Sequence, residues 1–265
     1  MDAAPVIEVV GVTAGYADTP VLRDLTVRIA PGRVTTIVGG SGCGKSTLLK
    51  VIVGLLRPWT GTVRVRGLDL FALEEDERDE ALSRIGLLFQ QGAMLNSVTV
   101  AENVALPLLE HTALPRAVIR EVVRLKLELV GLADAAQKLP SELSGGMRKR
   151  AALARAIALD PDLLLCDEPS AGLDPQTAAD LDRLILRLKE TFQMTVVVVT
   201  HEIASIETIA DDLVMLAPGG RLAFTGSLAQ AKASPIPDVQ DFFARRTRAA
   251  PAETRPLLDF LEGRA

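Results

Sequence analysis

The stretch Gly39-Gly40-Ser41-Gly42-Cys43-Gly44-Lys45-Ser46-Thr47 decides the fold of this chain, because it matches the pattern G-x-x-x-x-G-K-[ST]. An apolar run at residues 34–38 predicts a buried strand before it, and residues 48–53 predict a helix after it. A turn between such elements aims several backbone N–H groups at one point and attracts phosphate. The stretch therefore predicts a P-loop, in which Lys45 reaches the β- and γ-phosphates of a nucleotide and the Ser46 hydroxyl binds Mg²⁺.

The composition favours one large α/β domain, or two small ones, in a reducing compartment. The chain has 265 residues, of which 48% are hydrophobic and 3% aromatic, so aliphatic side chains must fill the core. The net charge of −5 argues against a nucleic-acid partner. Cys43 and Cys166 lie in the glycine-rich loop and in an apolar run, where neither suggests a disulfide. Residues 1–7 lack the basic region of a signal peptide, and no apolar run approaches the ~20 residues of a membrane span.

The strand pattern outside the loop predicts two kinds of sheet. Alternating runs predict an antiparallel sheet beside the P-loop core, with strands at residues 6–10, 25–29 and 62–66. Apolar runs predict short buried strands at residues 85–89, 163–166 and 195–199. Two further runs, at residues 213–216 and 221–224, flank a Pro-Gly-Gly turn and predict a hairpin.

Helical patterns fill much of the remaining chain. Helices are expected at residues 73–84, 98–130, 146–158 and 175–190. The first is acidic and is expected to be solvated, and the second is expected to be interrupted around Pro107 and Pro115. Helical spacing predicts one packed face formed by Val122, Leu125, Leu129 and Leu132.

A second chemical element is the run Leu163-Leu164-Leu165-Cys166-Asp167-Glu168, in which four apolar residues precede two acids. A carboxylate at the C-terminal end of a buried parallel strand lies in the ligand crevice of such a sheet. We expect Asp167 to hold Mg²⁺ through water, and Glu168 to act as general base for an attacking water. The alternative is that both are solvated turn residues.

A third element is Leu143-Ser144-Gly145-Gly146-Met147, which opens a predicted helix. A serine and free N–H groups at a helix N-terminus form a second anion site. The sequence Ser-Gly-Gly alone often occurs in an ordinary loop. Between a P-loop and a strand that ends in acidic residues, it instead indicates a second phosphate-binding element. From these motifs the chain resembles the ATP-binding subunits of ABC transporters over about residues 6–243. The resemblance implies a P-loop NTPase core with a mainly parallel sheet, an antiparallel β subdomain and a helical signature-motif subdomain at about residues 91–160, all within a domain at residues 1–244.

The resemblance implies roles at four more positions. Tyr16 matches the aromatic residue that stacks on adenine, with packing at a strand end as the alternative. Gln90 matches the Q-loop glutamine, a ligand of Mg²⁺ and water that also senses the membrane partner, and Gln91 is the neighbouring alternative. His201 matches the histidine that contacts the γ-phosphate. Asp174 closes a stretch, Ser170-Ala171-Gly172-Leu173-Asp174, that matches the D-loop crossing to a second subunit.

The same resemblance implies ATP and Mg²⁺ as cofactors, bound between two copies of the chain in a head-to-tail homodimer. Ser144, Gly145 and Gly146 of one copy would complete the site on the P-loop of the other. The residues implied to be catalytic are Glu168, His201, Lys45 and Gln90, and the implied metal ligands are Ser46, Gln90 and Asp167. The residues implied to bind ATP are Tyr16, Gly39, Gly40, Ser41, Gly42, Cys43, Gly44, Lys45, Ser46, Thr47, Ser144, Gly145, Gly146 and Asp174.

Three segments resemble one subfamily, the ATPases of the maintenance-of-lipid-asymmetry (Mla) systems. They are residues 89–104, residues 143–156 and Pro237-Asp238-Val239-Gln240-Asp241-Phe242-Phe243. The family signature commonly ends in Gln, and Met147 here is a subfamily mark that leaves the Ser and Gly contacts intact. The resemblance implies transport of phospholipid between bacterial membranes, with an integral-membrane permease and a periplasmic lipid-binding protein as partners. It places the chain in the cytoplasm, peripherally on the cytoplasmic face of the inner membrane.

Several alternatives stay open at this point. The cargo could instead be amino acids or lipoproteins. A soluble ABC ATPase of the DNA-repair or translation kind fits less well, because such proteins need a long coiled-coil insertion or two fused nucleotide domains. Met94 and Leu95 would dock a permease helix or pack in the local core. The tail at residues 245–265 ends in an apolar patch that would anchor on a neighbouring subunit or be a disordered end.

Overall fold

The computed structural model of the chain describes residues 4–244. The predicted C-terminal tail lies outside the described residues. The strands are β1 (Ile7–Tyr16), β2 (Thr19–Ile29), β3 (Val34–Gly39), β4 (Thr60–Val65), β5 (Leu68–Asp69), β6 (Ile85–Leu88), β7 (Leu163–Asp167), β8 (Thr195–Val199), β9 (Asp212–Ala217) and β10 (Arg221–Ser227). The α-helices are α1 (Lys45–Ile52), α2 (Glu75–Ser83), α3 (Val100–His111), α4 (Arg116–Leu129), α5 (Gly145–Ala156), α6 (Pro175–Phe192), α7 (Ile203–Ile209), α8 (Leu228–Lys232) and α9 (Pro237–Phe243). Short 3-10 helices occur at Ala133–Ala135 and Pro140–Glu142.

The larger sheet has six strands in the order β10-β9-β3-β8-β7-β6. Neighbours from β9 to β6 run parallel, and β10 pairs antiparallel with β9 as the predicted hairpin. Every residue of β3 and of β8 is buried, which explains why neither strand alternates between apolar and charged side chains. The C-terminal ends of β3, β7 and β8 therefore meet at one edge of the sheet, and each leads into a predicted site residue.

The smaller sheet is antiparallel, in the order β2-β1-β4-β5, as the alternating runs predict. Its inner face contributes Ile7 and Val9 to the core. On its outer face the carboxylate of Glu8 accepts a hydrogen bond from Arg28 at 2.9 Å and pairs with Arg64 at 3.6 Å. The arginines of this sheet face solvent because alternate side chains of a strand point to opposite faces.

The helices α3, α4 and α5 form a layer beside the parallel sheet. The interruption predicted at Pro107 is wrong, since α3 continues through this residue. Val104 and Leu108 on either side are buried, so their packing holds the helix together across the hydrogen bond that proline cannot donate. The second interruption is correct, because Pro115 immediately precedes α4.

The packed face predicted on α4 is also wrong in part. Leu125 and Leu129 are 49% and 41% exposed, and the helix is buried through Ile119, Val123 and Leu127 instead. Apolar residues occur on more than one side of this helix, so their spacing alone does not tell which side meets the core. The acidic helix α2 has no buried residue and is solvated as expected.

Across residues 4–244, the helices are too short or too polar to traverse a lipid bilayer.

Candidate nucleotide-binding site

The glycine-rich loop joins the end of β3 to the start of α1, as its sequence pattern predicts. Gly39 has φ of 146°, and a Cβ atom at this position would lie 2.5 Å from the carbonyl oxygen of Leu216. Gly44 caps α1 with φ of 106°, a conformation that residues with a side chain rarely adopt. The loop can therefore turn and expose its N–H groups only because glycine occupies these positions.

Lys45 lies against the loop that precedes it. Its Nζ donates hydrogen bonds to the carbonyl oxygens of Gly39 at 3.0 Å and Gly40 at 3.1 Å. The ammonium group is thereby held beside the loop, and Lys45 lines a cavity of about 750 Å³. This cavity is lined by Val21, Gly39, Gly40, Ser41, Gly42, Gly44, Lys45, Ser46, Thr47, Gln90, Glu168, His201 and Phe242.

Cys43 is the loop residue that does not line the cavity. Its side chain is buried, and burial raises the pKa of its thiol. The other cysteine, Cys166, is buried in β7, and burial raises its pKa to about 12. Both cysteines are free, in agreement with the absence of a disulfide expected from the sequence.

The oxygen atoms expected to hold Mg²⁺ lie together. The Ser46 hydroxyl donates a hydrogen bond to Oδ1 of Asp167 at 3.3 Å, and Gln90 lines the same cavity. Hydroxyl, carboxylate and amide oxygens are the hard ligands that Mg²⁺ prefers, and this ion commonly combines one or two carboxylates with substrate phosphates. Within residues 4–244 no group of three or more His, Cys, Asp and Glu side chains could hold a metal by itself. The hydroxyl of Ser46 and the carboxylate of Asp167, with Gln90 in the lining of the cavity, fit Mg²⁺ bound together with a nucleotide.

Glu168 and His201 are in direct contact at the edge of the cavity. Nδ1 of His201 lies 2.8 Å from Oε1 of Glu168. The other carboxylate oxygen of Glu168, Oε2, is buried and has no hydrogen-bond partner among the described residues. A buried acceptor without a donor is costly, so this oxygen is suited to accept a proton or a hydrogen bond from a bound water.

The backbone of Glu168 is strained. Its φ is 47°, a left-handed conformation that costs a residue with a side chain about 1–3 kcal/mol. Its N–H donates to the carbonyl oxygen of Val199 at 2.8 Å, which ties the end of β7 to the end of β8. The strain places the carboxylate beside His201, which lies two residues beyond Val199.

Tyr16 lies at the end of β1 and does not itself line the cavity, but its side chain is near that of Thr47, which does. Its ring is 46% exposed, and its hydroxyl accepts a hydrogen bond from Nζ of Lys50 at 3.2 Å. This hydrogen bond lowers the pKa of Tyr16. The same Nζ lies 5.4 Å from the centroid of this ring, so Lys50 contacts the aromatic system as well as the hydroxyl.

The signature residues lie outside the cavity of their own chain. Ser144 caps α5 and accepts a hydrogen bond from the Met147 N–H at 3.3 Å. A Cβ atom at Gly146 would lie 2.5 Å from Cγ2 of Thr177, so this glycine also lets α5 approach α6. Asp174 caps α6 through the Thr177 N–H at 3.0 Å, and its hydrogen bonds with Thr177 lower its pKa. Neither these residues nor Gly145 line the cavity.

The structure distinguishes the members of two pairs of neighbouring residues for which the sequence left alternatives open. Gln90 lines the cavity, whereas Gln91 does not. Met94 packs against the core around α3 and α5, whereas Leu95 is 49% exposed.

Three residues at the site carry no prediction from the sequence. Val21 and Phe242 line the cavity from β2 and α9, and Lys149 of α5 contacts the backbone of Gln90 and of Glu168. Phe242 falls in one of the segments that resemble the Mla subfamily, which is a signal of its position but not of its role. Nothing in the sequence pattern distinguishes Lys149 from its basic neighbours Arg148 and Arg150.

The chain is similar to one family model and to several known proteins. The family model described as "ABC transporter" matches residues 22–171. The Haemophilus influenzae protein named "Intermembrane phospholipid transport system ATP-binding protein MlaF" is 46% identical over 205 residues, which cover 77% of this chain and 78% of that protein. The Mycobacterium leprae "Probable ribonucleotide transport ATP-binding protein mkl" is 43% identical over 79% of this chain, and the match spans 60% of the mycobacterial protein.

A solved structure supports the same grouping. It is described as the "Dimeric structure of a post-hydrolysis state of the ATP-binding cassette MJ0796 bound to ADP and Pi". It aligns with a TM-score of 0.76 at 31% sequence identity and covers 84% of this chain and 98% of that chain.

Proposed function

The chain belongs to the ABC transporter family, and from that premise we propose that it binds ATP with Mg²⁺ between two copies of itself and hydrolyses it to drive a membrane permease. The observation that carries the proposal is the contact between Glu168 and His201 beside the P-loop cavity. A carboxylate with one unpartnered oxygen, next to a phosphate-binding loop, is placed to activate a water for attack on the terminal phosphate.

The residues at this site would have different roles in hydrolysis. The loop N–H groups and Lys45 would bind the phosphates, and Ser46, Gln90 and Asp167 would hold Mg²⁺, which would neutralise charge that develops on the phosphate oxygens. Glu168 accepts the proton of the attacking water through its free oxygen. His201 would orient the Glu168 carboxylate through their hydrogen bond, and because it lines the same cavity it would contact the γ-phosphate of a bound nucleotide.

A dimer completes the site. Ser144, Gly145, Gly146 and Asp174 do not line the cavity of their own chain, so they reach a nucleotide only on another copy. The N-terminus of α5 carries N–H groups and a partial positive charge that favour phosphate. Bound ATP then bridges two copies, and its hydrolysis removes the charge that both copies bind. The relative described as a dimeric cassette bound to ADP and Pi supports this assembly.

The cargo that the relatives support best is phospholipid. The MlaF proteins of Haemophilus influenzae and of Escherichia coli K12 are 46% and 41% identical to this chain, and both are named for intermembrane phospholipid transport. The partners would then be integral-membrane permease subunits and a periplasmic lipid-binding protein, with this chain on the cytoplasmic face of the inner membrane. The name of the mycobacterial relative points to ribonucleotides instead, and amino acids or lipoproteins are further alternatives.

Two measurements test the proposal. The purified chain should release phosphate from ATP in the presence of Mg²⁺, and no release above that of a Lys45→Ala variant would contradict the proposed ATPase. The chain should also co-purify with its permease, and mass spectrometry of the complex should find bound phospholipid. A complex that keeps its ATPase activity but holds no phospholipid would overturn the phospholipid cargo.

A further inference from the structure

Lys149 is a buried lysine on the helix that begins with the signature. It lies in the second turn of α5 and is 8% exposed. Its Nζ donates hydrogen bonds to the carbonyl oxygens of Gln90 and of Glu168, the second at 3.3 Å. A buried ammonium group needs such partners, because burial otherwise disfavours its charge. One side chain of α5 therefore joins two segments that each carry a residue of the ATP site.

The carbonyl group of Glu168 belongs to the strained residue described above. Only two donors are found for it among the described residues, the Lys149 ammonium group and the N–H of Ala171 at 3.2 Å. Because the left-handed backbone of Glu168 sets the direction of its carboxylate, contacts that hold this peptide group also hold the carboxylate in place. Lys149 supplies one of these contacts from a different part of the fold.

The segment after Gln90 is held by the same helix. Arg155 donates from its two terminal nitrogens to the carbonyl oxygens of Ala93 at 2.7 Å and Gly92 at 2.8 Å. With Lys149, it gives α5 two cations that bind consecutive parts of the backbone between residues 90 and 93. The position of this loop relative to α5 is therefore fixed at both ends.

We propose that Lys149 is a positioning residue for ATP hydrolysis, which sets the Glu168 carboxylate by tying its peptide group to the Gln90 backbone and to α5. This inference rests on the proposed ATPase function. Lys149 does not line the phosphate cavity, so its loss should leave ATP binding intact. A change in the loop around Gln90 would be transmitted to Glu168 through this one side chain.

The test replaces Lys149 by methionine, which keeps the length of the side chain and removes its donor, and by arginine, which keeps a cationic donor. The matched control is Lys126→Met, because Lys126 is also buried, and its partners Asp160 and Phe192 do not line the cavity. For each variant of the full chain, the kcat and KM of ATP hydrolysis, the Kd for a fluorescent ATP analogue and the melting temperature are measured.

A misplaced general base lowers kcat, so Lys149→Met should lose about 10- to 100-fold in kcat while the Kd for the nucleotide stays unchanged. Lys149→Arg should recover most of this loss, and Lys126→Met should keep the wild-type kcat. Lys149→Met with wild-type kcat would overturn the inference. So would an equal loss in Lys126→Met at the same fall in melting temperature, or a loss confined to nucleotide affinity.

The test also covers a variant that does not fold and a wild-type chain that is inactive. If Lys149→Met does not fold, Lys149→Gln carries the same expectation, because its shorter side chain cannot reach both carbonyl groups. A wild-type chain without ATPase activity would contradict the proposed function itself. Wild-type activity together with an active Lys149→Met variant would contradict only the role of Lys149.

Discussion

Nδ1 of His201 lies 2.8 Å from Oε1 of Glu168, although 33 positions separate the two residues in the chain. Each follows the C-terminal end of a parallel strand, β8 for His201 and β7 for Glu168, and these strands are neighbours in the sheet. The second oxygen of Glu168 is buried and has no hydrogen-bond partner among the described residues, and Glu168 lines the same cavity as the P-loop. We therefore propose that turnover depends on Glu168.

Glu168→Gln should bind ATP like the wild type and lose about 10²–10⁴-fold in kcat, because an amide cannot take the proton of the attacking water. Steady-state phosphate release and binding of a fluorescent ATP analogue measure the two properties. Glu121→Gln, an exposed change on α4, serves as the control and should leave both unchanged. Substantial ATPase activity in Glu168→Gln would rule out its role as general base.

Lys45→Ala should weaken ATP binding about tenfold or more, since it removes a charge-assisted hydrogen bond to phosphate worth about 1.5–3 kcal/mol. The Kd measured by titration calorimetry with Mg²⁺ present tests this. Lys138→Ala removes a lysine that is exposed and absent from the cavity lining, and it should bind ATP normally. Equal affinity in the two variants would contradict the P-loop assignment.

Lys45→Ala and Ser144→Glu chains should each be inactive alone and should regain activity when mixed. In a head-to-tail dimer of one chain of each kind, one site carries both changes and the other carries neither. Phosphate release from the mixture measures the recovery. A chain with both substitutions, mixed with itself, is the control and should stay inactive. No recovery in the mixture would show that each chain holds a complete site of its own.

The buried carboxyl group of Asp182 should make the free energy of unfolding depend on pH. It is buried on α6 and accepts a hydrogen bond from Ser205 at 2.6 Å, and its burial raises its pKa. A carboxyl whose pKa is raised in the folded state holds its proton more tightly there than in the unfolded chain. The wild type should therefore lose stability as pH rises through the raised pKa.

Asp182→Asn has no such titration, so its stability relative to the wild type should improve as pH rises above the usual pKa range of an aspartic acid and through the raised pKa of Asp182. Urea unfolding at several pH values measures this trend. Asp180→Asn, an exposed change two residues away on the same helix, is the control. Parallel pH profiles for the wild type and Asp182→Asn would contradict the expectation.

Local sequence signals were sufficient for the core of the fold. The loop at residues 39–47 sets β3 and α1 through glycine conformations and apolar flanks, and the hairpin of β9 and β10 follows from its turn residues. The same signals failed on α4, where Leu125 and Leu129 are exposed. Periodicity identifies a helix but does not choose between two apolar faces when both exist.

The site was predictable where a residue follows a strand or opens a helix. Lys45, Asp167 and His201 lie at such positions, and the strand order brings them to one edge of the sheet. Lys149 could not be found in this way, because its partners lie 59 and 19 positions away and are backbone carbonyl groups. Every residue type supplies a backbone carbonyl group, so a contact to the backbone does not restrict which residue the partner is.

We propose that two copies of this chain share each ATP. The mass of Glu168→Gln in solution, measured by light scattering after size exclusion, tests it most directly. The mass should be 28.3 kDa without nucleotide and twice this value with ATP and Mg²⁺, and the same chain with Lys45→Ala added should stay at the lower value. A mass of 28.3 kDa under both conditions would contradict the shared site.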